Sequence, residues 1–298
     1  MESNVVNLNI KSKEKKLNRT TAFDVIVLIV FVFFAAICVY PFLHMLLISF
    51  ASEGDYYRAN ILVLPKHFNL KSYEFILLQG RIGFAFLESI FISAVYIVYT
   101  LTLTSFGAYA LSKKNMPGNR VFFIFVLITM FFGGGLIPFY ITVRSLGLIN
   151  SYFSVIIPFG INVFYMIILR NFFRQVPEAL IESCKLDGAR EFVIFWYMVM
   201  PLSKAGLITI GLFYFVDKWN DWYWPLMFIM SEEKSPLALE IRNLLTGNSS
   251  IDYSAIDKTY QKGKEAAMIV ISILPMLGII PFCQKFLTKG IMVGSVKE

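Results

Sequence analysis

RQVPEALIESCKLDGAR, residues 174–190, is a polar island between two apolar stretches, and it carries helix punctuation at both ends. Pro177 suits the first position of a helix, where its missing N–H costs nothing, and Glu178 meets the positive end of the helix dipole. Gly188 can take the left-handed conformation that closes a helix. A helix of about three turns over 177–188 follows. Leu180, Ile181 and Cys184 fall on one side of it and Glu178, Glu182 and Lys185 on another, the spacing of an amphipathic surface helix. After the turn at Gly188, residues 189–200 read as a second helix that ends at Pro201 and leads into the next apolar run. A helical pair lying on a membrane surface and merely joining two spans explains this pattern as well as a docking element does.

Composition says what the flanks are. The 298 residues are 57% hydrophobic, 16% aromatic and 16% charged, with a mean hydropathy of +0.66; soluble domains carry about 25% charged residues. Thirty Phe, fifteen Tyr and four Trp give more apolar surface than one aqueous core hides, whereas lipid accepts it. Soluble enzymes, nucleic-acid binders and disordered scaffolds are excluded. The net charge of +7 is explained by topology, since many of the cations sit beside apolar runs.

The expected fold class is all-α integral membrane with six transmembrane helices. The first span, 22–50, carries Pro41 and is too long for the apolar core of a cleaved leader, which is roughly 7–15 residues. Five more windows approach the roughly 20 apolar residues that cross a 30 Å hydrocarbon core: Phe86–Leu111, Val121–Val143, Tyr152–Arg170, Lys204–Met230 and Lys264–Leu287. With the N-terminus inside, the inner segments hold 16 of the 27 Lys and Arg and the outer loops 10, while Lys218 falls within a span. That bias sets N-in and C-in, with 51–85, 144–151 and 231–263 outside. The domains are a basic cytoplasmic segment 1–21, a six-helix transmembrane body 22–287 containing the loop 174–203, and a cytoplasmic tail 288–298. No internal repeat stands out.

Cys38, Cys184 and Cys283 are scattered, and His44 and His67 are the only histidines, so neither a disulfide framework nor a metal site is expected. The chain has no GxxxxGK[ST] phosphate loop. No catalytic residue is assigned.

The loop resembles that of the membrane (permease) subunits of binding-protein-dependent ABC importers, and among them the maltose-permease-like carbohydrate group. Their signature reads Glu-Ala-Ala, three residues, Gly, nine residues, Ile-x-Leu-Pro. Here Glu182-Ser183-Cys184, Gly188 and Met198-Val199-Met200-Pro201 keep the spacing, with small residues for both alanines and Met for both aliphatics. Gly134-Gly135-Leu136-Ile137-Pro138, Leu146-Gly147-Leu148 and the tail Lys289–Lys297 match the oligosaccharide branch, and the resemblance covers nearly everything after about residue 20.

The resemblance implies a multi-pass subunit of a bacterial plasma membrane that is not itself an enzyme. No cofactor is bound by this chain, ATP and Mg belonging to a partner ATPase. The implied partners are a second homologous permease, a cytoplasmic ATPase dimer, an extracytoplasmic sugar-binding protein, a carbohydrate, which the branch narrows to an oligosaccharide, and membrane lipid, with no nucleic acid. The implied ATPase-coupling residues are Glu178, Glu182, Ser183, Cys184, Asp187, Gly188 and Pro201. A short helix closed by a glycine hinge can dock as a rigid body and pass on a two-state motion. The alternative from another class is a channel or receptor whose cytoplasmic helical loop binds a signalling partner.

Asp217, Trp219, Asn220, Asp221, Trp222 and Trp224 are candidates for lining a substrate pathway. Ionisable groups inside a membrane cost about 2.5–3.5 kcal/mol each and face protein or water, and acceptors beside flat rings suit a sugar. An aromatic belt with ordinary packing explains the same cluster. Gly133–Gly135 fits close helix approach or a local break. The stretch 237–248 fits a probe of a docked binding protein or a solvated loop, and the tail fits contact with the ATPase or a frayed terminus.

Overall fold

The computed structural model describes residues 22–58, 64–66, 68–78, 81–247 and 261–295, with backbone only at 77–78, 285 and 287–295. Among the described residues every regular element is helical. The chain divides into two compact units, residues 1–44 and 45–298. The first contributes the start of α1 (Ala22–Phe50), an apolar helix with Pro41 inside it and side chains such as Phe23 and Phe31 70% exposed, as a lipid-facing helix requires.

The second unit begins with α2 (Glu53–Arg58), α3 (Lys71–Leu78) and the long α4 (Arg81–Ser112). After α5 (Asn119–Phe131) and α6 (Leu136–Ser145) come two 3₁₀ turns, Tyr152–Val155 and Ile157–Phe159, and then α7 (Val163–Arg174). The quoted loop forms α8 (Glu178–Leu186) and α9 (Glu191–Leu202). They are followed by α10 (Lys204–Trp219), α11 (Tyr223–Phe228), α12 (Leu237–Leu245) and α13 (Gln261–Ser295).

Among the described residues three helices are long and apolar enough to cross a membrane: α1, α4 and Gln261–Gln284 of α13. Three further candidates are bent pairs: α5 with α6 at 108°, Tyr152–Phe159 with α7 at 52°, and α9 with α10 at 81°. Six spans result if each bent pair is one span.

Each bend has a local cause. The window Val121–Val143 breaks at Gly133-Gly134-Gly135, with Gly135 at φ 85°, ψ 162°, a conformation open to a residue without Cβ; the glycines form a break rather than a packing surface. In the next window Pro158 sits in a 3₁₀ turn, and α7 starts afresh where Asn162 accepts the Tyr165 N–H at 3.3 Å. Residues 189–200 do not make one regular helix. Phe195–Val199 is a π turn just before Pro201, whose ring and missing N–H disturb the ladder, and the chain turns at Ser203. The window Lys204–Met230 is likewise not continuous: α10 stops at Trp219 and α11 starts at Tyr223.

Among the described residues, the segments expected as loops are partly helical. Residues 231–263 contain a 3₁₀ turn at Glu232–Lys234 and α12, whose Leu237, Leu239 and Leu244 are buried. The tail 288–298 is no separate segment, since α13 continues through it to Ser295. Segment 1–21 lies outside the described residues.

The core forms where α4, α7 and α10 meet. Tyr214 and Leu169 are fully buried, and the Tyr214 hydroxyl is 2.6 Å from Thr104 Oγ1. A second cluster joins Ile76, Ile82, Phe215, Trp219, Leu237 and Met268, with Trp219 Nε1 donating to the Ser272 carbonyl at 2.9 Å. α7 and α10 approach closely at Gly206, where an added Cβ would lie 2.5 Å from Phe172 Cγ. Gly206→Ala is expected to cost about 1–3 kcal/mol through overpacking, read as a lower unfolding midpoint in detergent. Gly107→Ala, which meets only the flexible Met166 Sδ at 2.7 Å, is expected to cost clearly less.

Candidate functional site

α8 begins one residue later than its sequence suggests: Pro177 is the cap, with ψ 129°, and Glu178 the first helical residue. At the other end Asp187 N–H donates to Ser183 O at 3.0 Å, Gly188 N–H to Lys185 O at 3.0 Å and Ala189 N–H to Cys184 O at 2.9 Å. Gly188 has φ 83° with nothing within 4 Å of an added Cβ, so backbone conformation, not space, selects glycine there.

The helix presents Glu178, Glu182, Ser183 and Asp187 outward, with Leu186 89% exposed. Ile181 and Cys184 turn inward, Cys184 Sγ lying 3.8 Å from Met198 Sδ of α9. Leu180 is exposed, which narrows the inward stripe to that pair. Of the seven candidate coupling residues, Cys184 alone packs against the core; Glu178 and Glu182 are exposed but also line a cleft toward the body, and Pro201 is an exposed part of the bend.

Sequence reasoning gave Glu191 no role. Its carboxylate accepts hydrogen bonds from Tyr109 Oη at 2.8 Å and from Lys113 Nζ, and pairs with Lys185 Nζ at 3.3 Å. An acid at the first position of a helix is an ordinary dipole preference; partners about eighty residues away leave no local mark. Beside this group a cavity of about 480 Å³ is lined by Lys113, Lys114, Arg174, Glu178, Glu182 and Lys185 among others.

The second candidate group does not form one stripe, because the helix interruption at Asn220 sends its members in different directions. Asp217 and Asn220 are exposed, and Tyr165 Oη donates to Asp217 Oδ2 at 2.7 Å. Asp221 pairs with Lys218 at 2.8 Å, and its Oδ1 accepts the Trp224 N–H at 3.2 Å, capping α11. Trp219 is buried. Trp224 stacks on Phe228 with centroids 5.6 Å apart, and Trp222 lies under the Arg242 guanidinium at 4.8 Å. Lys218 is held by the Val155 carbonyl at 2.8 Å and by the faces of Tyr96 and Phe159.

Arg81 gathers α12 onto α4. It donates to Glu240 at 3.1 Å, to the carbonyls of Glu233 at 2.7 Å and Ser235 at 2.6 Å, and pairs with Glu88 at 3.3 Å. Residues 237–247 are therefore fastened to the body and not a solvated loop; Asn248 lies outside the described residues. Burial pushes the Glu240 carboxyl above its ordinary value despite the pull of Arg81.

Residues 116–284 match the family model described as "Binding-protein-dependent transport system inner membrane component". Protein LplC of Bacillus subtilis (strain 168) is 37% identical over 268 residues, covering 88% of this chain and 90% of that protein. The polygalacturonan/rhamnogalacturonan transport system permease protein YtcP of the same organism is 35% identical over 280 residues, covering 92% and 98%. A chain from the crystal structure of a bacterial ABC transporter involved in the import of the acidic polysaccharide alginate superposes with a TM-score of 0.84 at 28% identity, covering 90% of this chain and 98% of that one.

Proposed function

Because the chain belongs to the family of binding-protein-dependent transport system inner membrane components, we propose that it is the permease subunit of an ATP-driven importer for a carbohydrate of oligosaccharide size. Its relatives are named for polymeric sugars, which supports that substrate class. The observation that carries the mechanism is α8: a short, outward-facing helix with acids on its open side, closed by a left-handed Gly188 and joined through α9 to a membrane-length apolar segment. Such a helix can seat in a cleft of a cytoplasmic ATPase and return that ATPase's closure to the spans. Hydrolysis and its ATP and Mg belong to the ATPase chains, and Glu178, Glu182, Ser183, Asp187 and Gly188 make or shape the contact. Cys184 and Pro201 join α8 to α9 and α9 to α10.

The topology that goes with this has six spans, both termini cytoplasmic and the Arg81-fastened α12 on the outer side, toward an extracytoplasmic sugar-binding protein. A second, homologous permease covers the apolar faces left open. Asp217, which accepts the Tyr165 hydroxyl on one oxygen, and the exposed Asn220 are the members of the second group placed to meet sugar hydroxyls, while Trp219, Asp221, Trp222 and Trp224 are engaged in contacts of their own.

Affinity purification of the tagged chain from its native membrane is expected to bring down an ATPase and a second six-span protein; a signalling protein in their place would select the receptor alternative. In the reconstituted complex, a panel of oligosaccharides is expected to contain one that stimulates ATP hydrolysis. Gly188→Pro forces φ to about −65° where +83° is needed. It is expected to leave the chain inserted while lowering stimulated hydrolysis about tenfold or more, the effect of 1.4 kcal/mol of lost docking. Glu182→Lys, a charge reversal on the open side, is expected to act in the same direction. Full stimulation in both variants would overturn the docking role of α8.

A further inference from the structure

We propose that Glu191 is a positioning residue that fastens the coupling helix α8 to the cytoplasmic end of α4, so that movement of α8 is passed to α4 through a polar node. This rests on α8 being the docking helix and adds the internal route by which its motion leaves the loop.

Three helices meet at the one carboxylate. Tyr109 and Lys113, at the end of α4 and just beyond it, donate to Oε2; Lys185, in the last turn of α8, reaches Oε1 at 3.3 Å; Glu191 itself opens α9. The α4 end is a firm anchor. Arg170 of α7 donates to the Leu111 carbonyl at 2.8 Å, and Asn119 Nδ2 donates to the carbonyls of Leu111 at 3.2 Å and Lys113 at 2.7 Å. The ammonium of Lys113 also sits over the Tyr109 ring at 4.6 Å.

Direct packing of α8 on the body is confined to Ile181 and Cys184, which touch the core and α9. Among the described residues none of its nine is fully buried, and toward residues 112–116 a cavity of about 480 Å³ opens beside the helix. Across that opening steric contact transmits little, because van der Waals attraction falls off over a gap. The Glu191 node crosses beside that void. Its members are open to water, with Lys185 and Glu191 side chains 52% and 50% exposed, and exposed ion pairs contribute little to stability. The node therefore fixes a geometry without holding up the fold, and its loss should be visible in coupled motion while the protein stays folded.

The test uses the assembled complex with its native cysteines kept, the labels being attached to a genetically encoded keto amino acid rather than to a thiol. Spin labels go on the exposed Leu186 of α8 and the exposed Val98 of α4. With the wild-type node, the distance between the labels is expected to stay fixed when ATP and Mg are added under conditions that block hydrolysis. In Glu191→Ala the same addition is expected to change it by about 2 Å or more, the size of an interface helix shift, with an unchanged unfolding midpoint. Lys185→Gln, which cuts only the α8 leg at an exposed site, is expected to behave alike. The exchange Lys113→Glu with Glu191→Lys, which rebuilds the α4 leg with reversed sign but turns a lysine toward Lys185, is expected to recover only when Lys185→Glu is added. A fixed distance in both single variants, or a large fall in midpoint in Glu191→Ala, would overturn the node. If the wild-type chain captures no ATPase, it is the docking role of α8 that fails instead.

Discussion

Lys218→Met is expected to destabilise the protein by about 3–5 kcal/mol, the cost of removing one partner from a buried ion pair. The Lys218 and Asp221 side chains are 5% and 10% exposed. Without the ammonium the Asp221 Oδ2 keeps its charge with no cation within reach, and the Val155 carbonyl loses its donor. The sign of the remedy is equally definite. Lys218→Met combined with Asp221→Asn removes both charges and retains an oxygen to cap Trp224, so the double variant is expected to regain most of the loss. The two changes are in contact and should be far from additive. Unfolding midpoints in detergent for the four members of this cycle decide the matter; a double variant no better than the single one would show that the pair does more than neutralise itself.

Arg81→Ala is expected to cost a similar 3–5 kcal/mol, but with a local readout. Arg81 serves Glu88, Glu240 and two carbonyls of residues 233–235, so its removal frees the 231–247 segment from α4. Hydrogen exchange across α12 is expected to accelerate strongly, while the α7 and α10 core remains protected. Arg81→Lys, a single point charge in place of a planar fork, should fall in between. The deficit should also depend on pH. Glu240 already lies above its ordinary value through burial, and losing Arg81 raises it further. An acid raised in the folded state binds its proton there preferentially, so the penalty is full above the folded value and fades as pH falls toward the unfolded one, about 4.3. The gap between Arg81→Ala and wild type should therefore narrow on acidification. A gap that widened would place the loss elsewhere.

The membrane class and α8 were legible because they rest on local terms: apolar length, a proline and an acid at one end, a glycine at the other. Gly188 has the positive φ that its position in the sequence demands. The bends were less legible. Val121–Val143 has the hydropathy of one helix whether or not it is straight, and only Gly133-Gly134-Gly135 hinted at the break. The pathway cluster was only partly legible from periodicity. Asp217, Asn220, Asp221 and Trp224 would share a face on an unbroken helix, but α10 ends at Trp219 and the polar residues part company. The Glu191 and Arg81 groups were invisible for a different reason. Apart from the nearby Lys185 and Glu88, their side-chain partners lie 78 to 159 residues away in sequence, and no pattern within one segment encodes such a distance.

The elbow at Gly133–Gly135 bears on how the protein gets into the bilayer. α5 and α6 have 13 and 10 residues, rods of about 20 and 15 Å at 1.5 Å per residue, and neither bridges a hydrocarbon layer about 30 Å thick. Where they meet, the last carbonyls of one and the first amides of the other are left open. Lipid charges several kcal/mol for each unpaired group. This bent pair is thus poorly suited to partition alone from the insertion machinery into fatty-acyl surroundings, and its entry is tied to the arrival of polar groups, from water or a neighbouring subunit, that can satisfy the corner.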